Sequence, residues 1–156
     1  MIGTPIHLAS YIITLDKEKK YEIKPYVEKR SDDANGYLWV LCTKIAEALR
    51  TSKIEVYRKL IREYGIYQTL EIKTNASNTF IKGWEHNGLG WVCDIETQNE
   101  DKTTLFAYYG SSVYNKRAMG VLIDHIVEEA KGLGIETKTP NEIANLKSQW
   151  KEKGGR

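Results

Sequence analysis

Apolar side chains recur at three- and four-residue spacing between residues 33 and 50: Leu38, Leu41, Ile45 and Leu49, with Trp39 and Cys42 beside the stripe. That period predicts a helix with one buried face. The stretch TSKIEVYRKLIREYG predicts a second helix. Ser52 and Glu55 form a capping box, Ile54, Tyr57, Leu60, Ile61 and Tyr64 form the apolar face, and Gly65 ends it. A short helix over 76–87 holds Phe80, Ile81 and Trp84. A long one over 115–131 carries Met119, Leu122, Ile123, Ile126 and Val127, and Ser111 and Ser112 read as its start. The last helix opens at Thr139-Pro140-Asn141-Glu142, a capping box with proline at the first helical position.

Elsewhere the period is two. SYIITLDKEKKYEIKPYV predicts a β-hairpin: strands over 10–15 and 21–27, a charged turn between them, Tyr21 and Ile23 facing the core, and Pro25 marking an edge. IYQTLEIK predicts a strand. GWVCDIETQ and TTLFAYYG, on either side of a polar NEDK turn, predict a second hairpin. The fold class is therefore α+β: β-hairpins and a short antiparallel sheet packed with about five α-helices. With 156 residues and no repeat or low-complexity linker, one domain over 1–156 is expected.

Charge changes the picture through its distribution. The formal net charge is only +2, but residues 17–30 hold six Lys or Arg against three Glu, and residues 85–101 hold five acids and no Lys or Arg. This split predicts one basic and one acidic surface. Cys42 and Cys93 are the only cysteines, without a second Cys or His at ligand spacing. Buried thiols in a reducing cytosol are expected rather than a zinc site. No run approaches the ~20 apolar residues of a membrane span, and MIGTPIHLAS lacks the form of a signal peptide.

Several groups have candidate chemistry. Asp32 and Asp33 fit a helix start, where acids meet free N–H groups, better than a metal site. Glu22-Ile23-Lys24 and Glu71-Ile72-Lys73 are E-x-K triplets, and Asp94 and Glu96 fall on one face of a regular strand. Together Glu22, Glu71, Asp94 and Glu96 form the case for a metal-dependent nuclease. The same alternation is what any half-buried strand displays. His7, His86 and His125 stand alone and read as structural. Gly88-Leu89-Gly90 and Gly132-Leu133-Gly134 lack a following phosphate-binding lysine and read as turns or caps. Cations interleaved with Tyr21, Tyr26, Tyr37, Tyr57 and Trp150 fit a groove that holds single strands without reading sequence. The candidate contacts are Lys19, Lys20, Tyr21, Tyr26, Lys29, Arg30, Lys151 and Lys153. A protein-interaction module without DNA is the third reading.

Arg30, Ser31, Asn35 and Trp39 spell R-S-x-x-x-N-x-x-x-W where a basic segment meets the first strong helix. With GSSVYNKRAMGVLIDHIVEEAKGLGIE and TPNEIANLKSQWKEK, the pattern resembles the bacteriophage NinB family, also called the Orf recombination proteins, over about residues 20–153. Residues 51–100 look different from the family, and Asp32-Asp33-Ala34 lacks its glutamine. The resemblance implies a dimeric, non-enzymatic, phage or prophage protein in the bacterial cytoplasm. Such a protein favours single-stranded DNA, contacts the host single-strand-binding protein, helps load a recombinase, and uses no cofactor or metal.

Overall fold

A computed structural model describes residues 4–23 and 33–150. In chain order these form α1 (Pro5–Ile12), α2 (Asp33–Leu49), α3 (Lys53–Tyr64), β1 (Tyr67–Lys73), α4 (Ser77–Glu85), β2 (Cys93–Gln98), β3 (Lys102–Tyr108), α5 (Lys116–Gly132) and α6 (Pro140–Gln149). Short 3-10 turns, Thr74–Ala76 and Ser111–Val113, precede α4 and α5. The class is α+β, with six α-helices and one three-stranded antiparallel sheet among the described residues. Among the described residues no helix is long and apolar enough to cross a membrane.

The core forms where the apolar stripes of α2, α3 and α5 meet. Leu38, Leu41, Cys42, Ile45, Leu60, Ile61, Met119, Leu122, Ile123 and Ile126 are all buried there. Leu49, expected in the α2 stripe, is 50% exposed. It lies in the last turn, just before the chain reverses at Arg50, whose φ is 56°. The Thr51 N–H reaches back to the Ala46 carbonyl at 3.0 Å, the bond that closes a left-handed helix end. The apolar period therefore outruns the helix packing by one turn.

Caps open α3 and α6 as their sequences require. In α3 the Ser52 hydroxyl accepts from the Glu55 N–H, and in α6 Thr139 accepts from Glu142; both boxes are reciprocal. Both carboxyls are held below their ordinary value. Glu55 accepts from the Thr51 hydroxyl and the Ser52 N–H, and Glu142 accepts from the Thr139 N–H.

The first hairpin is absent from the described part of its span. Residues 10–12 finish α1, 13–20 form turns, and 21–23 are irregular; residues 24–27 lie outside the described set. Thr4 and Pro5 explain the helix. Thr4 is extended at the N-cap and Pro5 occupies the first helical position, the same Thr-Pro start that opens α6. Tyr21 and Ile23, expected in the core, are 50% and 63% exposed.

The sheet order is β1-β3-β2. β3 pairs with β1 from Tyr67↔Tyr108 to Lys73↔Lys102. It pairs with β2 from Cys93↔Ala107 to Gln98↔Thr103, with a register shift between Ile95 and Thr97. Glu96 is the extra residue of that bulge, so Asp94 and Glu96 do not share a face by simple alternation.

Leu41→Ala should destabilise the fold by about 2–5 kcal/mol, because it empties a fully buried site among three helices. Leu49→Ala should change stability by less than about 0.5 kcal/mol. Urea melts of both variants check this, and equal losses would show that the α2 face is misassigned. A second expectation concerns pH. Hydrogen bonds from Thr139 hold the folded Glu142 carboxyl below its ordinary value, so its cap contributes fully above the unfolded value and is lost as pH falls through the lowered folded value. Carboxyl-carbon NMR should place the Glu142 midpoint below 4.5, and Thr139→Ala should move it upward. A wild-type midpoint at or above 4.5 would contradict the capping geometry.

Candidate nucleic-acid interface

The sheet is held against the helices by a small polar junction. Tyr57 of α3 brings its hydroxyl to 2.6 Å from Ser111 Oγ and accepts the Ser111 N–H at 3.0 Å. Ser111 Oγ donates in turn to Asn35 Oδ1 at 2.8 Å. One proton order satisfies the whole chain: the tyrosine hydroxyl gives to the serine, and the serine gives to the asparagine. Trp39, one turn after Asn35, packs its ring 4.3 Å from that of Tyr57. Burial pushes the Tyr57 hydroxyl above its usual pKa, and the bonds from Ser111 oppose that shift. Gly90 is required beside it, because a Cβ there would lie 2.6 Å from the Tyr57 oxygen.

Asn35 and Trp39, the motif residues within the described set, are therefore packing residues between α2, α3 and the turn after β3. Ser111 and Ser112 do not start α5: the helix begins at Lys116 and is capped by Asn115. A second tie lies nearby. Tyr114 donates to the Tyr109 carbonyl and accepts the Ile66 N–H, and Trp150 Nε1 donates to the Tyr114 carbonyl at 2.8 Å. Burial raises the Tyr114 pKa to about 12.

This arrangement leaves the two faces of the sheet unequal. Directly paired residues share a face and alternate along each strand. One face holds Leu70, Ile72, Thr103, Leu105 and Ala107. The 3-10 turn before α4 closes on it, with Thr74 Oγ1 2.9 Å from Thr103 Oγ1, and Thr103, Leu105 and Ala107 are fully buried. The other face holds Tyr67, Thr69, Glu71 and Lys73 of β1, Lys102, Thr104, Phe106 and Tyr108 of β3, and Asp94 of β2. Tyr108 anchors one end of it in the core. The rest is open to solvent or partly so.

Two aromatic rings stand on the open face. Tyr67 is 51% exposed and meets Phe106 edge-on at 5.4 Å. Cations border them. Arg62 reaches in from α3 and grips Asp94 with two nitrogens, at 2.8 and 3.0 Å. That carboxylate holds the guanidinium pKa above its usual range. Lys102 pairs with Glu71 at 2.8 Å. Lys73 and Lys102 sit directly opposite each other at the far end of the β1–β3 ladder. Like charges in that position oppose pairing, and an anion between them relieves the repulsion.

The positions singled out from sequence separate into three groups. Lys19, Lys20 and Tyr21 lie on an exposed loop after α1, where Tyr21 OH accepts the Asp16 N–H and Lys19 lies 3.7 Å from the Asp16 carboxylate. Tyr26, Lys29, Arg30, Ser31, Asp32, Lys151 and Lys153 lie outside the described residues. The carboxylates proposed for nuclease chemistry are dispersed. Glu22 is in the irregular segment 21–23, Glu96 is in the bulge, and Glu71 and Asp94 occupy opposite edge strands. Two strand spacings put those edges roughly 10 Å apart. Metal-ligating oxygens must each lie within ~2.6 Å of the ion. Among the described residues no three His, Cys, Asp or Glu side chains gather as a metal site.

His125 stacks on Tyr64, with ring centroids 3.5 Å apart. Burial raises the Cys42 thiol to about 12 and the Cys93 thiol to about 11. The residues of this face that sequence reasoning missed are Arg62, Tyr67, Lys102 and Phe106; Lys73 was singled out only within the Glu71-Ile72-Lys73 triplet. For the strand residues the signal was present in YQTLEIK and KTTLFAY, where aromatic and charged residues fall on the alternation opposite Leu70, Ile72, Leu105 and Ala107; Arg62 of α3 carried none.

Another open groove, of about 780 Å³, runs between α2 and α6. Its cations Lys44 and Lys138 are balanced by Glu136 and Glu142, and it presents no ring free for stacking, since Lys138 lies over the Tyr37 ring at 5.5 Å. The open sheet face is the better candidate for a strand of nucleic acid. In comparisons with known proteins, no family model, curated protein or solved structure matches the chain.

Ser111→Ala should cost about 1–3 kcal/mol, because it leaves Asn35 and the Tyr57 hydroxyl short of partners in a buried site. Tyr57→Phe should fall in the same range. Urea denaturation checks both, and losses below about 0.5 kcal/mol would show that the junction does not bear on stability.

Proposed function

We propose that this protein binds single-stranded DNA across the open face of its sheet, leaves the strand intact, and acts as a recombination mediator. The observation that carries the reading is the half-exposed Tyr67 ring beside the partly buried Phe106, on a sheet face that Arg62 reaches and that ends in Lys73 and Lys102. Aromatic faces hold unpaired bases by stacking, and cations neutralise the phosphates between them. A duplex hides its base faces and gains only the phosphate term. The three-stranded sheet is narrow, so the platform suits a few nucleotides.

The resemblance of Arg30, Ser31, Asn35 and Trp39 to the NinB signature supports the recombination role. With that role come the remaining parts of the proposal: a homodimer in the bacterial cytoplasm, contact with the host single-strand-binding protein, help in recombinase loading, and no catalysis, cofactor or metal. The basic stretch with Lys19, Lys20, Lys29 and Arg30, and the C-terminal Lys151 and Lys153, would supply phosphate contacts beyond the sheet. Tyr21 and Tyr26 would supply further rings.

Fluorescence anisotropy with labelled single-stranded DNA, duplex DNA and RNA, with and without Mg²⁺, tests this. Single-stranded DNA should bind most tightly and be recovered uncut. Tyr67→Ala should weaken binding by about 1–3 kcal/mol, the value of one stacked base, with the salt slope unchanged. Lys29→Ala combined with Arg30→Ala should instead flatten the slope of log K against log salt by about 1.4, from ~0.7 per lost phosphate contact. Circular dichroism verifies that each variant is folded. Wild-type affinity in folded Tyr67→Ala would remove the sheet face from the account. Mg²⁺-dependent fragments lost in Glu71→Ala would replace the binding protein with a nuclease.

A further inference from the structure

Two of the cations at the open sheet face, Arg62 reaching in from α3 and Lys102 of β3, are partnered by acids on that face. Arg62 and Asp94 form a two-nitrogen fork with side chains 43% and 37% exposed. Lys102 and Glu71 pair with side chains 64% and 58% exposed. The exposed Lys102–Glu71 pair contributes ~0–1 kcal/mol, and the two-bonded Arg62–Asp94 fork is the stronger of the two but still open to solvent. Both carboxylates flank the ring that would carry a base: Asp94 pairs with Phe106 across the β2–β3 ladder, and Glu71 pairs with Thr104, the next residue on that face.

We infer that Asp94 and Glu71 are tethered competitors of phosphate, which must be displaced from Arg62 and Lys102 before a strand can seat on Tyr67 and Phe106. This inference rests on the sheet-face reading. A phosphate presents the same paired oxygens to a guanidinium as a carboxylate does, so exchange on Arg62 conserves the fork. Lys102 gains more from the exchange, because a phosphate can also lie against Lys73 directly across the ladder. The carboxylates meanwhile lower the charge of the platform. With Arg62, Lys73 and Lys102 against Glu71 and Asp94, the face is left with a surplus of one positive charge. Phosphates without accessible bases gain little there. Strands that also stack their bases gain both contributions, so the acids act as specificity-determining residues that favour single strands over duplex.

The competition has a measurable sign. Asp94→Asn keeps the shape of the side chain and removes its charge. It frees one cation for phosphate, so the salt slope on single strands should steepen by about 0.7. Affinity should then drop about 2.6-fold more than in wild type between 50 and 200 mM salt, and binding at 50 mM salt should tighten roughly five- to tenfold. Duplex affinity should rise by a larger factor, narrowing the preference for single strands. Glu71→Gln, on the more exposed pair, should act in the same direction. Glu128→Gln on α5 makes the same change in net charge away from the sheet and should leave affinity within about twofold, because at ~0.15 M ionic strength the screening length is only ~8 Å.

The experiment measures the four proteins against single-stranded and duplex oligonucleotides over a salt series, with thermal melts alongside. Tighter, steeper binding by Asp94→Asn and Glu71→Gln but not by Glu128→Gln supports the inference. If Asp94→Asn melts early, Glu71→Gln decides alone. Unchanged or weaker binding by folded charge-removed variants, with wild-type binding still sensitive to Tyr67→Ala, overturns the competition and leaves the sheet-face reading intact. An equal gain in Glu128→Gln also overturns it, because net charge would then suffice. Wild-type binding insensitive to Tyr67→Ala, or no binding at all, refutes the sheet-face reading and this inference with it.

Discussion

Ser111 holds the helical layer and the sheet in one register. Its backbone N–H and its hydroxyl both meet Tyr57 of α3, and the hydroxyl also reaches Asn35 of α2. The three residues are far apart in sequence, so the bonds form only when α2, α3 and the chain leaving β3 have all arrived. Buried polar groups of this kind are costly when half satisfied and specifying when complete. The apolar core, with Leu41, Leu60 and Ile123 fully or nearly buried in it, supplies most of the adhesion between helices. The junction selects which turn of the β3 exit meets which turn of α2 and α3.

The open sheet face follows from that placement. With Tyr57 fixed, α3 runs so that Arg62, five residues later, reaches Asp94 on β2. Tyr108 enters the core beside it, while β1 and the front of β3 continue past the helices. One face of the sheet is closed near Thr74 and Thr103, and on the other Thr69, Glu71 and Lys73 are exposed, with no helix of the described residues over them. That surface presents the exposed Tyr67 ring, the partly buried Phe106 beside it and the opposed lysines. Stacking and phosphate neutralisation are the chemistry such a surface offers, and neither needs a deep pocket.

Much of this was legible in the sequence, for identifiable reasons. The boxes at Ser52–Glu55 and Thr139–Glu142 are local, so spacing alone placed α3 and α6. The hairpin of β2 and β3 was legible because the polar NEDK turn separates two alternating runs. The run YIITL was misread as a strand because a short apolar stretch suits either period, and the Thr4-Pro5 start carried the deciding information. Glu96 was misplaced because a bulge breaks alternation without leaving a compositional mark. The role of Asn35 and Trp39 was undecidable from spacing, since their partners Ser111 and Tyr57 are brought in by tertiary structure. The candidate surface on the sheet was missed for a similar reason. Basic composition drew attention to residues 17–30, whereas Tyr67 and Phe106 gain meaning only when β1 and β3 are paired.

The central claim is that unpaired bases lie on Tyr67 and Phe106. Photocrosslinking tests it most directly, using single-stranded oligonucleotides that carry 5-bromodeoxyuridine and mass spectrometry to locate the adducts. The account predicts adducts on peptides spanning β1 and β3, with Tyr67 and Phe106 the principal sites, and their suppression by excess unlabelled single strand but not by duplex. Adducts confined to the α2–α6 groove or to residues 17–30, with none on β1 or β3, would contradict it.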